Sequence, residues 1–364
     1  MKRLKKQTSS QIIDCLFYFM PKKELLFLDK KIENLYNYIM NKEAVFIYPL
    51  LLKPPIKDYI WGGTRLQTEY GFNTDKEKAA EGWMLSCHKD GESKVLNGAF
   101  AGKTLAEALT TLGKEALGKN AQNFSEFPIL IKLIDAKDKL SVQVHPDDEY
   151  ALKVENEYGK NEMWYVIDCE EGASLIYGFN KQIEKDEFER RIKDNTLNEV
   201  CNFVPVKKGD VFFITAGTLH AIGEGILIAE VQQSSNSTYR VSDYGRLGAD
   251  GKPRPLHIEK ALAVTHTVPP ELPYGNVGDV EEFSYGSERQ LASSQYFSVK
   301  LIKLNGMKDI YSLESFVSLL VLEGDCILAF GEENTLLKKG QSVFVPAGVK
   351  TSVSGTAEIL YTYI

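Results

Sequence analysis

One short pattern, written twice, limits what this chain can fold into. Residues 207–220 read KKGDVFFITAGTLH and residues 338–351 read KKGQSVFVPAGVKT. Both follow KKG-x5-[TP]-AG: a glycine turn, a run of apolar and β-branched residues, then a second glycine turn. Each lies downstream of two candidate strands that turn on a glycine, Gly172 in one case and Gly324 in the other. Glycine suits such places because tight reversals demand backbone angles that other residues resist. A chain carrying the same strand–turn–strand unit in each half is expected to build two similar β-units. They differ at their last position, His220 in the first and Thr351 in the second. Only one carries an imidazole, so one barrel is expected to work and the other to serve as scaffold.

The rest of the sequence fits that plan. At 364 residues the chain exceeds what one core usually serves, so two domains are expected. From Phe46 onward, runs rich in Val, Ile, Leu, Tyr and Trp alternate with Gly, Pro and Asp, as in FPILIKLIDA, KLSVQVHP, MWYVIDC and ASLIYGF. Two helical inserts break the rhythm. Residues 101–118 place apolar side chains at helical spacing behind Thr104, a candidate cap, and residues 181–200 are highly charged. A Pro-, Gly- and acid-rich stretch around 266–290 reads as the boundary. The expected fold is mainly β, with a metal-binding domain over 46–270 and a second β-domain without metal ligands over 271–364. Residues 1–45 are Lys-rich and lack turn chemistry. They read as an N-terminal extension, either a helix lying on the domain or a poorly ordered segment. A start codon assigned too far upstream is the other reading, since ordered-looking sequence begins just after Met40.

Composition excludes several roles. A formal charge of -7 argues against broad nucleic-acid or anionic-membrane binding, although a few local cations can still hold a small anion. Cys15, Cys87, Cys169, Cys201 and Cys326 stand singly, the usage of reduced thiols in a cytoplasmic protein. No apolar run reaches the length of a membrane span. The opening MKRLKKQTSSQIIDCLFYFM imitates a signal peptide, but Asp14 interrupts its apolar stretch. Pro21-Lys22-Lys23-Glu24 then follows where small residues should precede a cleavage site.

Among five histidines, two fall at strand ends of the first unit. In Ser141-Val142-Gln143-Val144-His145, period-two alternation puts Ser141, Gln143 and His145 on one face and the valines on the other. Glu162 opens the next strand, and His220 closes the strand after the KKG turn. Two imidazoles and a carboxylate on neighbouring strands make a divalent-metal site, with the Gln143 carbonyl as a fourth candidate ligand. His88, His257 and His266 read as ordinary hydrogen-bonded histidines. Trp61 and Trp164 read as packing aromatics rather than sugar platforms.

The spacing G-x5-T-x-G-x2-H ending at His220 resembles the second motif of cupin barrels, with Thr215 where Pro is usual. The QxH…E set resembles their first motif, with Gln143 replacing a His. Longer stretches are similar to the zinc-dependent type I phosphomannose isomerases in their short bacterial form. They are YIWGGTRL (59–66), AEGWMLSCH (80–88), FPILIKLIDAKDKLSVQVHPDDEYA (127–151), GKNEMWYVIDC (159–169), GTLHAI (217–222) and EVQQSSNSTYRVSDYGR (230–246). The similarity runs from about Phe46 to the C-terminus.

That resemblance implies two cupin-type jelly-roll β-barrels and one zinc ion per chain, held by His145, Glu162 and His220 with Gln143 completing or flanking the set. It makes Arg240 the active-site arginine and sets Glu230 near the reacting carbons. Ser141, Lys160 and Arg246 match positions near a sugar phosphate. The family often has an acidic residue where this chain has Asn236, and an amide cannot exchange a proton as a carboxylate does. The implied reaction interconverts mannose 6-phosphate and fructose 6-phosphate through a cis-enediol. Glu230 or a metal-bound water is the candidate base, and Arg240 holds either the enediolate or the phosphate. Two rival readings are a metal-dependent cupin oxygenase and a cupin that binds sugar without turnover.

Overall fold

Strands dominate because the chain keeps returning to β-branched and aromatic runs bounded by turn residues. The computed structural model describes residues 47–248 and 251–364, and what was expected of residues 1–45 lies outside the described residues. Among the described residues three antiparallel sheets form. One has six strands, in the order Val211–Ile214, Glu162–Cys169, Ile226–Gln233, Ile129–Ala136, Glu81–Leu85 and Ile56–Lys57. A second has five, in the order Tyr239–Ser242, Val142–Val144, His220–Ala221, Ser174–Phe179 and Cys201–Pro205. The third, of nine strands, joins the C-terminal half to the early strands Leu50–Lys53 and Lys94–Val95. The class is mainly β, as expected. Each sheet keeps two open ends in its pairing order, so the expected barrels are facing sheets rather than closed rings of hydrogen bonds.

Alternation decides where the strand faces go. Every residue of Ile129–Ala136 and of Ile226–Gln233 is buried, so both faces of the six-stranded sheet are covered. Ile129, Ile131, Leu133, Leu227, Ala229 and Val231 pack into a cluster that also takes Phe316, Phe344 and Leu360 from the C-terminal half. Ile134, Ala136, Ile226 and Ile228, on the opposite face, join Leu175 and Tyr177 of the five-stranded sheet. Lys132, Glu162 and Glu230 share this second face by the period of two. Polar side chains are thereby delivered between two apolar layers.

The inserts fold as helices. Leu105–Leu112 starts at Thr104, whose hydroxyl accepts the Glu107 N–H while the Glu107 carboxylate accepts the Thr104 N–H. Lys185–Lys193 buries Phe188 and Ile192 under its charged face. Three more helices, Arg65–Thr68, Asp148–Val154 and Ile258–Val264, are too short to show a period in the sequence.

The repeated pattern takes the same shape twice. Gly209 and Gly340 adopt φ +92° and +83°, and Gly217 and Gly348 adopt +86° and +79°. In one copy the Lys207 N–H donates to Asp210 Oδ2, and in the other the Lys338 N–H donates to Gln341 Oε1. After Gly217 the chain crosses from the six-stranded to the five-stranded sheet. His220 therefore opens a separate short strand, His220–Ala221, instead of closing Val211–Ile214 as the sequence suggested. The positive-φ turn is the physical reason for the difference, and the crossing lets His220 face Glu162.

Candidate metal centre and active site

Two facing rungs build the site. On the six-stranded sheet Trp83, Lys132, Glu230 and Trp164 lie opposite one another across four strands. On the five-stranded sheet Arg240, Gln143, His220 and Tyr177 do the same. His145 follows its strand by one residue, and Glu162 sits opposite Gln232, farther along the sheet.

The ligand atoms of His145, Glu162 and His220 all lie within 4.8 Å of one another, and all three residues are buried. His145 Nδ1 donates to the Ser237 carbonyl and His220 Nδ1 to the Thr218 carbonyl, each at 2.8 Å. A carbonyl only accepts, so these partners assign the tautomer and leave both Nε2 atoms as lone pairs. The two Nε2 atoms are 3.1 Å apart, and His145 Nε2 is 2.8 Å from Glu162 Oε1. That oxygen is buried without an aligned donor. Three acceptors turned on one another repel unless positive charge stands among them, and the Lys160 ammonium, beside Glu162 Oε1 and His145 Nε2, supplies one such charge but does not reach His220. Burial, with Lys160 adding, pushes His145 down to about 3, and burial lowers His220 too, so both rings are neutral. Burial works against charge on Glu162, yet the Lys160 ammonium at 2.5 Å holds its carboxyl well below the usual range. Neutral nitrogens and an ionised carboxylate form a donor set that fits a divalent transition metal.

Around the cluster each neighbour has a defined hold. Lys160 Nζ lies 3.2 Å from His145 Nε2. The Gln143 carboxamide reaches the edge of the cluster, 3.4 Å from His220 Nε2, and Ser141 Oγ donates to its carbonyl at 3.4 Å. Trp164 Nε1 donates to Glu162 Oε2 at 2.8 Å and to Glu230 Oε2 at 2.9 Å, one indole proton shared by two carboxylates. Burial, with Glu162 nearby, raises the Glu230 pKa, although Lys132 stands 3.0 Å from its other oxygen.

A cavity of about 300 Å³ opens beside the cluster. Of the residues picked out in the sequence, Ser141, Gln143, Lys160, Glu230 and Arg240 line it. Among the described residues Arg240 has no carboxylate partner: Nη1 donates to the Pro255 carbonyl at 3.0 Å, and its buried Nε has no acceptor there. Burial and repulsion from Arg254 lower its pKa. Arg246 is not among the lining residues. Its guanidinium donates to Asp243 at 2.6 Å and to the Lys139 carbonyl at 2.5 Å. Arg254 lines the cavity instead, forked onto the same Asp243 at 2.7 and 2.5 Å.

Two family descriptions match the chain. "Phosphomannose isomerase type I, catalytic domain" covers residues 50–173, and "Mannose-6-phosphate isomerase, cupin domain" covers residues 287–364. Mannose-6-phosphate isomerase ManA of Bacillus subtilis is 38% identical over 318 residues, 87% of this chain and 99% of that one. The chain belongs to the type I phosphomannose isomerase family. A mannose-6-phosphate isomerase of Streptococcus mutans is similarly related, 38% identical over 86% of this chain and 98% of its own. In three dimensions the chain resembles the crystal structure of mannose 6-phosphate isomerase from Bacillus subtilis, with a TM-score of 0.81 and 36% identity. That match covers 87% of this chain and 99% of the other.

Membership in the phosphomannose isomerase family accounts for the motif residues, but several cavity residues were not found in the sequence. Lys132 and Glu81 reach the site through strand register, and Lys132 left one signal, a lysine inside the otherwise apolar run FPILIKLIDA. Trp164 packs in the core as expected, and its N–H in addition bridges two carboxylates, which the sequence did not show. Arg254 follows a turn-rich stretch and left no signal.

Proposed function

We propose that this chain interconverts mannose 6-phosphate and fructose 6-phosphate in the cytoplasm, with zinc held by His145, Glu162 and His220. The observation that carries the reading is the convergence of three buried acceptors beside a cavity lined with cations. Bound there, zinc supplies a Lewis acid for the substrate carbonyl. Gln143, turned about its last torsion, presents its carbonyl as a further ligand.

The remaining work falls to the chain's own side chains. Glu230, with its raised pKa, takes the proton from C2 and returns it to C1 of the cis-enediol, while the hydroxyl proton passes from O2 to O1 and the carbonyl moves from C1 to C2. Trp164 orients that carboxylate and keeps it apart from Glu162. Arg240 and Arg254 hold the phosphate, since their combined charge exceeds that of Asp243 and Arg240 has no carboxylate partner among the described residues. Arg246 acts at one remove, by sharing Asp243 with Arg254. Lys160 and Ser141 bind sugar oxygens near the metal ligands.

A coupled assay of fructose 6-phosphate formation tests the reading on protein stripped with chelator and resupplied with zinc, manganese, cobalt or iron. Activity is expected to vanish on stripping and to return, with zinc effective. Folded protein inactive with every metal would refute the isomerase assignment.

A further inference from the structure

Asn236 lines the cavity from a stretch without regular structure between the strands that carry Glu230 and Arg240. Its carboxamide nitrogen donates to Asp90 Oδ2 at 2.8 Å. Asp90 belongs to a loop after the strand Glu81–Leu85, and that loop is itself pinned. The Asp90 N–H donates to His88 Nδ1 at 3.1 Å, the Asp90 carbonyl accepts from the Lys57 ammonium, and the Gly91 N–H donates to the His88 carbonyl at 2.9 Å. From the other side, Glu157 Oε2 accepts the Asn236 N–H at 3.4 Å and the Ser237 hydroxyl at 3.3 Å. Backbone and side chain of Asn236 are thus held by carboxylates from two separate segments.

An ionised carboxylate only accepts, so the amide must turn its NH2 group to Asp90. The carbonyl oxygen on the opposite side of the carboxamide is then an acceptor with no hydrogen bond among the described residues. The cavity that Asn236 lines carries four cations, Lys132, Lys160, Arg240 and Arg254, and its two carboxylates, Glu81 and Glu230, are already engaged by Lys132, Trp83 and Trp164. Sugar hydroxyls donate as well as accept, and an amide oxygen without a partner gives one of their protons an acceptor not already engaged.

We propose that Asn236 Oδ1 accepts a hydroxyl proton of the bound sugar, and that Asp90 is the positioning residue that aims it. The inference rests on the sugar-phosphate reading above. Asp90 never touches the substrate; it acts by fixing which end of the carboxamide faces the cavity.

Steady-state kinetics on mannose 6-phosphate, with metal content measured alongside, test this on four variants beside the wild type. Asp90→Ala frees the carboxamide, so KM is expected to rise about five- to tenfold with kcat within about twofold and metal content unchanged. Asp90→Asn keeps an acceptor and is expected to stay near wild type. Asn236→Asp brings two carboxylates together and is expected to raise KM further. Combining Asp90→Asn with Asn236→Asp restores a donor–acceptor pair of reversed direction, still with an acceptor toward the cavity, and is expected to recover most of that loss. Because the Asp90 side chain is 46% exposed, thermal melts of the variants should match wild type. An active wild type with unchanged KM in Asp90→Ala, or an exchanged pair no better than Asn236→Asp alone, would overturn the role of Asp90. A wild type inactive on mannose 6-phosphate would instead refute the proposed function.

Discussion

At the scale of single residues, the site shows how a few hydrogen bonds decide the charge state of a buried cluster. His145 and His220 are metal-ready because backbone carbonyls take their Nδ1 protons, not because imidazoles happen to be near each other. Trp164 belongs to the same arrangement. Its single N–H is divided between Glu162, in the ligand cluster, and Glu230, the proposed base, so it sets the position of both. Trp164→Phe keeps an aromatic ring between the sheets but removes the proton that both carboxylates share. The expected result is about ten- to a hundredfold weaker metal retention against a competing chelator, with kcat reduced even at saturating metal. Unchanged retention and unchanged kcat would show that the indole does no more than pack.

At the scale of elements, the twice-written turn separates backbone strain from crowding. Gly209 and Gly340 have nearly the same positive φ, where any side chain costs about 1–2 kcal/mol. A Cβ at Gly209 meets nothing within 4 Å, whereas one at Gly340 meets Tyr70 and Phe72 atoms at 3.1 Å. Chemical denaturation should therefore rank Gly340→Ala as clearly less stable than Gly209→Ala, which loses only the conformational term. Equal losses would mean that the Tyr70 and Phe72 side chains move aside freely. These turns were legible in the sequence because glycine at a positive φ is a local demand, and so was Thr104, which caps a helix within one turn. The strand change at Gly217 was not legible. Whether the chain after a turn rejoins its own sheet or the opposite one depends on packing between layers, which no local pattern records.

At the scale of the whole molecule, the same division explains what could be read of the site. Ser141, Gln143, His145, Glu162 and His220 were found because each lies at a fixed step within one strand or motif. Lys132 and Glu81 were missed because they come together with Glu230 only through register across three strands, and Arg254 because a guanidinium on an irregular segment has no period. The relation between the halves has the same long-range character. Leu50–Lys53, near the start of the described chain, pairs with Ser342–Val345 near its end, with Leu50 opposite Phe344. Under that pairing Phe127 packs on Phe316 at 5.3 Å and on Phe344 at 6.2 Å, and these two rings lie tilted 5.1 Å from each other. The shared cluster argues that residues 48–270 and 271–364 unfold together, because neither can expose its side of these rings without the other losing contacts. Phe127→Ala should cost about 3–5 kcal/mol and lower one calorimetric transition rather than split it. If the C-terminal half melted separately at its wild-type temperature in that variant, the ring cluster would be an interface between independently stable domains and the cooperative argument would fail.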